Sequence, residues 1–262
     1  WHEEIISSGG AFAGISSNDT AVGYLTPREW HEEIQLLIKK KERSSDDRGK
    51  TECEEEDADT ILIDVRNHKE CQIGSFAPGI SIDPQTKTFA QFPRWAESEK
   101  GPLKNKRILM YCTGGIRCEK ASAYIRQVVP ENKGIYHLKG GIHKYLEEFG
   151  QGATPAASNN NGSDIDGIKH ENNGVECLFV GKNFVFDRRG ALDAKGHGIE
   201  KDDDPRRAKS DGSIIGKCQY CSDPYDAFHP ENVCTVCREP ILVCEKCQSD
   251  LRREQRSLRG LA

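Results

Sequence analysis

The sequence predicts an α/β fold in which a parallel sheet is flanked by helices, followed by a small cysteine-rich module. Three observations carry this. Short apolar runs (Val22 to Leu25, Ile61 to Val65, Ile108 to Tyr111, Ile135 to Leu138) alternate with stretches of helical periodicity, the pattern of strands joined by helical crossovers. The two central runs are almost continuously apolar, as strands covered on both faces are. Three Cys-x2-Cys pairs then fall within thirty residues near the C-terminus.

In chain order, residues 1–21 are polar and rich in Gly and Ser, and read as disordered or as the remnant of an upstream domain. Trp1 to Ile5 repeats Trp30 to Ile34, a match too short to make a structural repeat. Residues 22–150 form the main domain. After the first strand, Thr26-Pro27-Arg28-Glu29 is a helix start, with Thr26 as N-cap, Pro27 at the first position and Glu29 closing a capping box. Trp30, Ile34, Leu37 and Ile38 give that helix an apolar face. Residues 42–59 carry nine acids against three bases and read as an acidic, disordered insertion. With −5 on the whole chain and −6 on this segment, the remainder sums to +1, so net charge decides nothing about nucleic acid. Residues 151–173, rich in Asn, Gly, Ser and Ala, read as a flexible insertion. Residues 174–190 are a strand-bearing connector, 191–216 a charged linker, 217–250 the cysteine-rich module, and 251–262 a basic tail with Arg252, Arg253, Arg256 and Arg259. No run of eighteen apolar residues is present, so no membrane-spanning helix is expected.

The chemistry centres on residues 112–118. Cys112 stands where a strand hands over to a helix, followed by Thr113, Gly114, Gly115 and Ile116. Glycines let backbone amides turn inward, and the first free N–H groups of the helix point the same way. Such a nest stabilises a thiolate or an anion carried on its sulfur. Arg117 adds a permanent positive charge. Cys118, at the helix start, is a second thiol candidate. The bland alternative is a structural cysteine beside a Gly-rich turn.

Eleven cysteines, an odd number, suit a reducing and most naturally cytoplasmic compartment, with one reactive thiol and a metal site. An organelle remains open. Cys218, Cys221, Cys234, Cys237, Cys244 and Cys247 offer more thiolates than one tetrahedral zinc takes. One structural zinc held by four of them, with a pair left over, is the expectation. Which four is open. The metal would supply folding energy that so small a module lacks.

The Cys112-x4-Arg117 loop resembles the active-site loop of the rhodanese superfamily, in which the cysteine carries a persulfide. Related phosphatases use a loop one residue longer. Asp64-Val65-Arg66 with the following Ile73-Gly74-Ser75 loop is also similar to rhodanese domains, and Pro78 to Ile82 fits the family's next strand. Asp64 and Arg66 are expected to form an ion pair that holds the loop, or to touch substrate. A narrower resemblance rests on Tyr111 to Ser122, on Phe89-x2-Phe92-Pro93-x-Trp95, and on Phe184-Val185-Phe186-Asp187 followed by the six-cysteine tail. Together these are similar to the rhodanese-like tRNA uridine hydroxylases, which make 5-hydroxyuridine at the wobble position. That resemblance implies tRNA as partner, molecular oxygen as co-substrate, and Cys112 as the essential cysteine. No flavin or nucleotide motif is present. Members of that family carry an N-terminal ferredoxin-like domain, of which residues 9–15 are expected to be a remnant. The loop alone supports a second reading, a sulfurtransferase taking sulfur from thiosulfate or a persulfide donor. A third is a non-catalytic docking module. Oligomeric state cannot be read from the sequence.

Overall fold

The computed structural model describes residues 23–46, 60–150, 176–185, 191–192, 214–227 and 241–259. The expectations for residues 1–21 and 151–173, for most of the acidic insertion and the charged linker, and for Cys234 and Cys237 lie outside them.

Four strands make a parallel sheet in the order β1-β5-β4-β2: β1 (Gly23–Leu25), β2 (Thr60–Asp64), β4 (Arg107–Tyr111) and β5 (Ile135–Leu138). In register, Thr60 to Asp64 face Arg107 to Tyr111, and Ile108 to Met110 face Ile135 to His137. The continuous burial read in β2 and β4 follows from the layers on either side. Ile63, Ile108, Met110 and Ile135 point to one face, packed by Phe92 and Ala96 of α3 (Phe92–Ser98), by Leu103 of α4 (Lys100–Leu103), and by Ala121 and Ile125 of α5 (Ile116–Val128). Leu62, Leu109, Tyr111 and Leu138 point to the other, under Trp30 and Ile34 of α1 (Pro27–Asp46) and Ile142 and Tyr145 of α6 (Gly141–Phe149). Period-two alternation thus feeds two apolar cores from each strand.

The start of α1 forms the capping box. Thr26 N–H donates to Glu29 Oε2 at 2.8 Å, and Glu29 N–H donates back to Thr26 Oγ1 at 3.3 Å. The helix runs on to Asp46, so the first residues of the expected acidic insertion are helical. Two expectations about the next segment are corrected. Ile73-Gly74-Ser75 is not a free loop: β3 (Gly74–Phe76) pairs antiparallel with β6 (Phe179–Gly181), which arrives from a hundred residues downstream. Gly74 permits that approach, since a Cβ there would stand 2.3 Å from Lys182 O. Pro78 to Ile82, in turn, is not a strand. Ala77 and Gly79 both take positive φ and hold the chain in a turn. Only Ile82 bridges to Ile63, its N–H donating to Leu62 O at 2.8 Å. Beyond β6, Asn183–Phe184 (β7) pairs with Ala191–Leu192 (β8), so the linker expected from residue 191 opens on a strand. The aromatic segment at 89–95 is core: Phe89 and Phe92 are buried, and Trp95 packs on the cluster that holds Cys112 and Cys118. The chain closes with α7 (Glu245–Arg259), on which Arg252 and Arg253 are exposed.

Candidate active-site loop and four-cysteine centre

Cys112 follows the last residue of β4, at the carboxyl edge of the parallel sheet, where ligands of such sheets bind. Gly115, at φ +88°, turns its N–H onto Cys112 Sγ at 3.1 Å and caps α5. The loop is stitched down by the start of α6. Ile142 N–H donates to Cys112 O at 2.9 Å and His143 N–H to Thr113 O at 3.0 Å. Gly141 makes this contact possible: it sits at φ +66°, and a Cβ on it would lie 2.5 Å from Cys112 O and 2.6 Å from Thr113 O. Ile116 is the loop's partly exposed apolar residue, 39% accessible, whereas Cys112 and Cys118 are fully buried.

Burial alone pushes the Cys112 thiol up. The opposing groups win: the Cys118 thiol, the Arg117 charge, and the backbone N–H groups of Cys118 and Arg117 bring it from 9.0 down to about 6. Cys118 goes the other way, raised well above 9.0 by its burial and by the neighbouring Cys112 sulfur. At neutral pH this is a thiolate beside a neutral thiol.

Arg117 does not reach outward. Its guanidinium donates to both Glu70 oxygens, at 2.7 and 2.8 Å, and to Thr113 Oγ1 at 3.0 Å, while Thr113 Oγ1 donates to Glu70 Oε1 at 3.1 Å. The planar fork thus ties the loop to α2 (His68–Cys71). Arg117 and Glu70 are both buried. Burial works to raise the Glu70 carboxyl, but the charge and hydrogen bonds of Arg117, with Arg66 behind, hold it below its ordinary 4.5. Sequence reasoning missed Glu70. Its signal was the Asn67-x2-Glu70 spacing of a helix start, and Asn67 N–H does donate to Glu70 Oε2 at 3.0 Å. Nothing in that spacing says that the carboxylate also meets an arginine 47 residues on.

Asp64 and Arg66 form a buried ion pair with each other. Arg66 Nη2 lies 2.6 Å from Asp64 Oδ2, Arg66 Nε 2.9 Å from Asp64 Oδ1, and the same Nη2 donates to Gly74 O. Tyr111 and Phe179 rings flank the guanidinium at 5.8 and 5.7 Å. The pair fastens the end of β2 to β3, which fits a structural role.

In the C-terminal module, the ligand atoms of Cys218, Cys221, Cys244 and Cys247 all lie within 4.8 Å of one another. Cys221 Sγ and Cys244 Sγ are 3.7 Å apart, and Cys244 N–H donates to Cys218 Sγ at 3.3 Å. Tetrahedral Zn–S bonds of about 2.3 Å put sulfurs roughly 3.8 Å apart, so these four thiols fit one metal ion. Cys218 and Cys247 sit in a small core with Tyr225, Leu242 and Val243 that includes Ile73 of the main domain.

Residues 47–148 match the family model described as Rhodanese-like domain, and residues 180–257 match the one described as Rhodanase C-terminal. A protein of Rhizobium leguminosarum bv. trifolii named tRNA uridine(34) hydroxylase is 33% identical over 257 residues, 98% of this chain and 61% of its own length. One of the same name from Brucella anthropi is 34% identical over 201 residues, 77% of this chain and 52% of its own. Rhodanese-like domain-containing protein 6 of Arabidopsis thaliana is 34% identical over 195 residues, 74% of this chain and 27% of its own. The chain thus spans 27% to 61% of the length of these relatives. Among solved structures, thiosulfate sulfurtransferase from Pseudomonas aeruginosa has a TM-score of 0.32 at 17% identity, covering 53% of this chain and 22% of that one, a likeness that carries no weight for function. Both models match in order along one chain, which thus carries a rhodanese-like domain followed by a segment matching the Rhodanase C-terminal model.

Proposed function

We propose that this protein hydroxylates the wobble uridine of tRNA at C5, with molecular oxygen as co-substrate and Cys112 as the essential thiol. The observation that carries this reading is the Cys112 loop, intact and electrostatically poised, in a chain that aligns along 98% of its length with a relative named for that reaction. In this reading the thiolate of Cys112 is held by the Gly115 amide and the first amides of α5. Arg117 is a positioning residue: locked by Glu70, it fixes the loop and its field and leaves substrate contact to the loop itself. Cys218, Cys221, Cys244 and Cys247 would hold a structural zinc, which would supply folding energy to the C-terminal module. No helix among the described residues is long and apolar enough to cross a membrane.

The loop chemistry itself favours a second reading. A buried thiolate in an amide nest is suited to attack the outer sulfur of thiosulfate, releasing sulfite and leaving a Cys112 persulfide. The two readings separate in cells lacking this gene, rescued with wild type or Cys112→Ser, by mass spectrometry of tRNA nucleosides. If 5-hydroxyuridine and its derivatives are lost and only wild type restores them, the hydroxylase reading stands. If they persist while thiolated nucleosides fall, the protein is a sulfurtransferase.

A further inference from the structure

Cys112 and Cys118 are six residues apart, yet the chain folds them onto each other. The turn at Gly115 reverses the backbone, and Cys118 enters as the third residue of α5, so its side chain hydrogen-bonds the Cys112 sulfur. Both are fully buried within one apolar cluster that includes Ile63, Phe92 and Met110. Among the described residues, the other cysteines of the main domain and connector differ. Cys71 turns its thiol to the carbonyls of Asn67 (3.4 Å) and Arg66 (3.8 Å), and Cys177 to that of Phe179 (3.7 Å). A thiolate in hydrogen-bond contact with a second thiol, shielded from solvent, is the arrangement from which an intrachain disulfide closes with little movement.

We propose that Cys112 and Cys118 are a redox-active dithiol, which closes to a disulfide once per catalytic cycle and so supplies the two electrons that hydroxylation by oxygen requires. This rests on the hydroxylase reading for its use of oxygen; the disulfide itself does not. The balance is complete. One thiolate, one thiol, one solvent proton, one O2 and one uridine C5–H become one disulfide, one C5–OH and one water. The Cys118 S–H bond breaks and the S–S bond forms. One oxygen atom enters the C5–H bond, and the other leaves as water with the Cys118 proton, a proton from solvent and the two electrons. An external dithiol then reopens the disulfide by exchange. The division of roles follows from the surroundings: Cys112 is the thiolate that meets the oxidant, and Cys118 is the neutral thiol that holds the second proton and closes on Cys112 before its sulfur oxidises further.

The test uses the full chain, reduced and freed of excess thiol under nitrogen, then given tRNA and air. Denaturing alkylation and peptide mapping follow the cysteines, and nucleoside mass spectrometry follows the product. The expected result is a single turnover, with a Cys112–Cys118 disulfide formed in proportion to 5-hydroxyuridine and repeated turnover only when a dithiol is supplied. Cys118→Ser, checked for folding by its melting transition, is expected to lose multiple turnover and to accumulate Cys112 sulfinic acid. Wild-type turnover in Cys118→Ser, or product without any disulfide, overturns the dithiol and leaves the hydroxylase reading standing. A disulfide that opens and closes under peroxide and dithiol, with no hydroxylation by wild type, keeps the redox pair and sinks the hydroxylase reading instead. A Cys118 that stays alkylatable after both treatments sinks the pair outright.

Discussion

The molecule uses cysteine twice, in opposite ways. At the sheet edge, Cys112 is served by a continuous stretch of chain: amides from Gly115 onward, a helix start, and an arginine five residues away. In the C-terminal module, Cys218 and Cys221 meet Cys244 and Cys247 across more than twenty residues, and their close neighbours are each other. A lone thiolate among donors is stabilised as a reagent. Four thiols turned toward one another with little core around them call for a cation. The residue type is the same; in the proposed reading the supply of positive charge, from backbone amides and Arg117 in one place and from a metal ion in the other, decides the chemistry.

Three measurements test this contrast, the largest effect first. Stripping metal with a strong chelator is expected to unfold the C-terminal module, with an apparent loss on the order of 10 kcal/mol of zinc binding energy, read as loss of α7 signal in circular dichroism. The Cys112 thiol should still be reactive afterwards; if its reactivity disappears as well, the two centres are one cooperative unit joined through Ile73, and the contrast breaks. Next, Glu70→Gln leaves Arg117 buried without its counter-ion and is expected to cost about 3–5 kcal/mol in denaturant melts, all of it in the main domain. The sign with pH follows from a lowered carboxyl. Glu70's contribution is full above 4.5 and is lost as pH falls through its folded value below that. The variant should therefore show a shallower acid-destabilisation slope than wild type. An unchanged melt would mean that the Arg117–Glu70 clamp does not hold the loop. The smallest effect is the sharpest: alkylation of Cys112 should rise with a midpoint near pH 6, where an ordinary thiol rises near 9.0. A midpoint near 9.0 would show that the loop amides and Arg117 do not stabilise the thiolate.

Much of the site was legible because it is local. The Cys112 to Cys118 loop, its Gly turn and its helix start lie within a dozen residues, and the capping box at Thr26 needs only four. What could not be read came from distant chain. Gly74 looked like a loop glycine until β6 was laid beside it, and the single bridge at Ile82 replaced an expected strand because two positive-φ residues precede it. Glu70 carried a signal for a helix start and none for an ion pair with Arg117.

By itself, then, the sequence determined the alternation of buried strands with amphipathic helices, the position of Cys112 at a strand-to-helix turn, and a set of thiols dense enough for metal. These depend on periodicity, turn chemistry and spacing, which are properties of neighbouring residues. Only the tertiary structure decided that Cys218, Cys221, Cys244 and Cys247 converge among the described residues, that Arg117 is clamped by Glu70, and that Gly141 brings the start of α6 down onto the loop carbonyls. Each of those is a contact between segments tens of residues apart, selected by how the helices and the two sheet faces pack, and no local pattern encodes it.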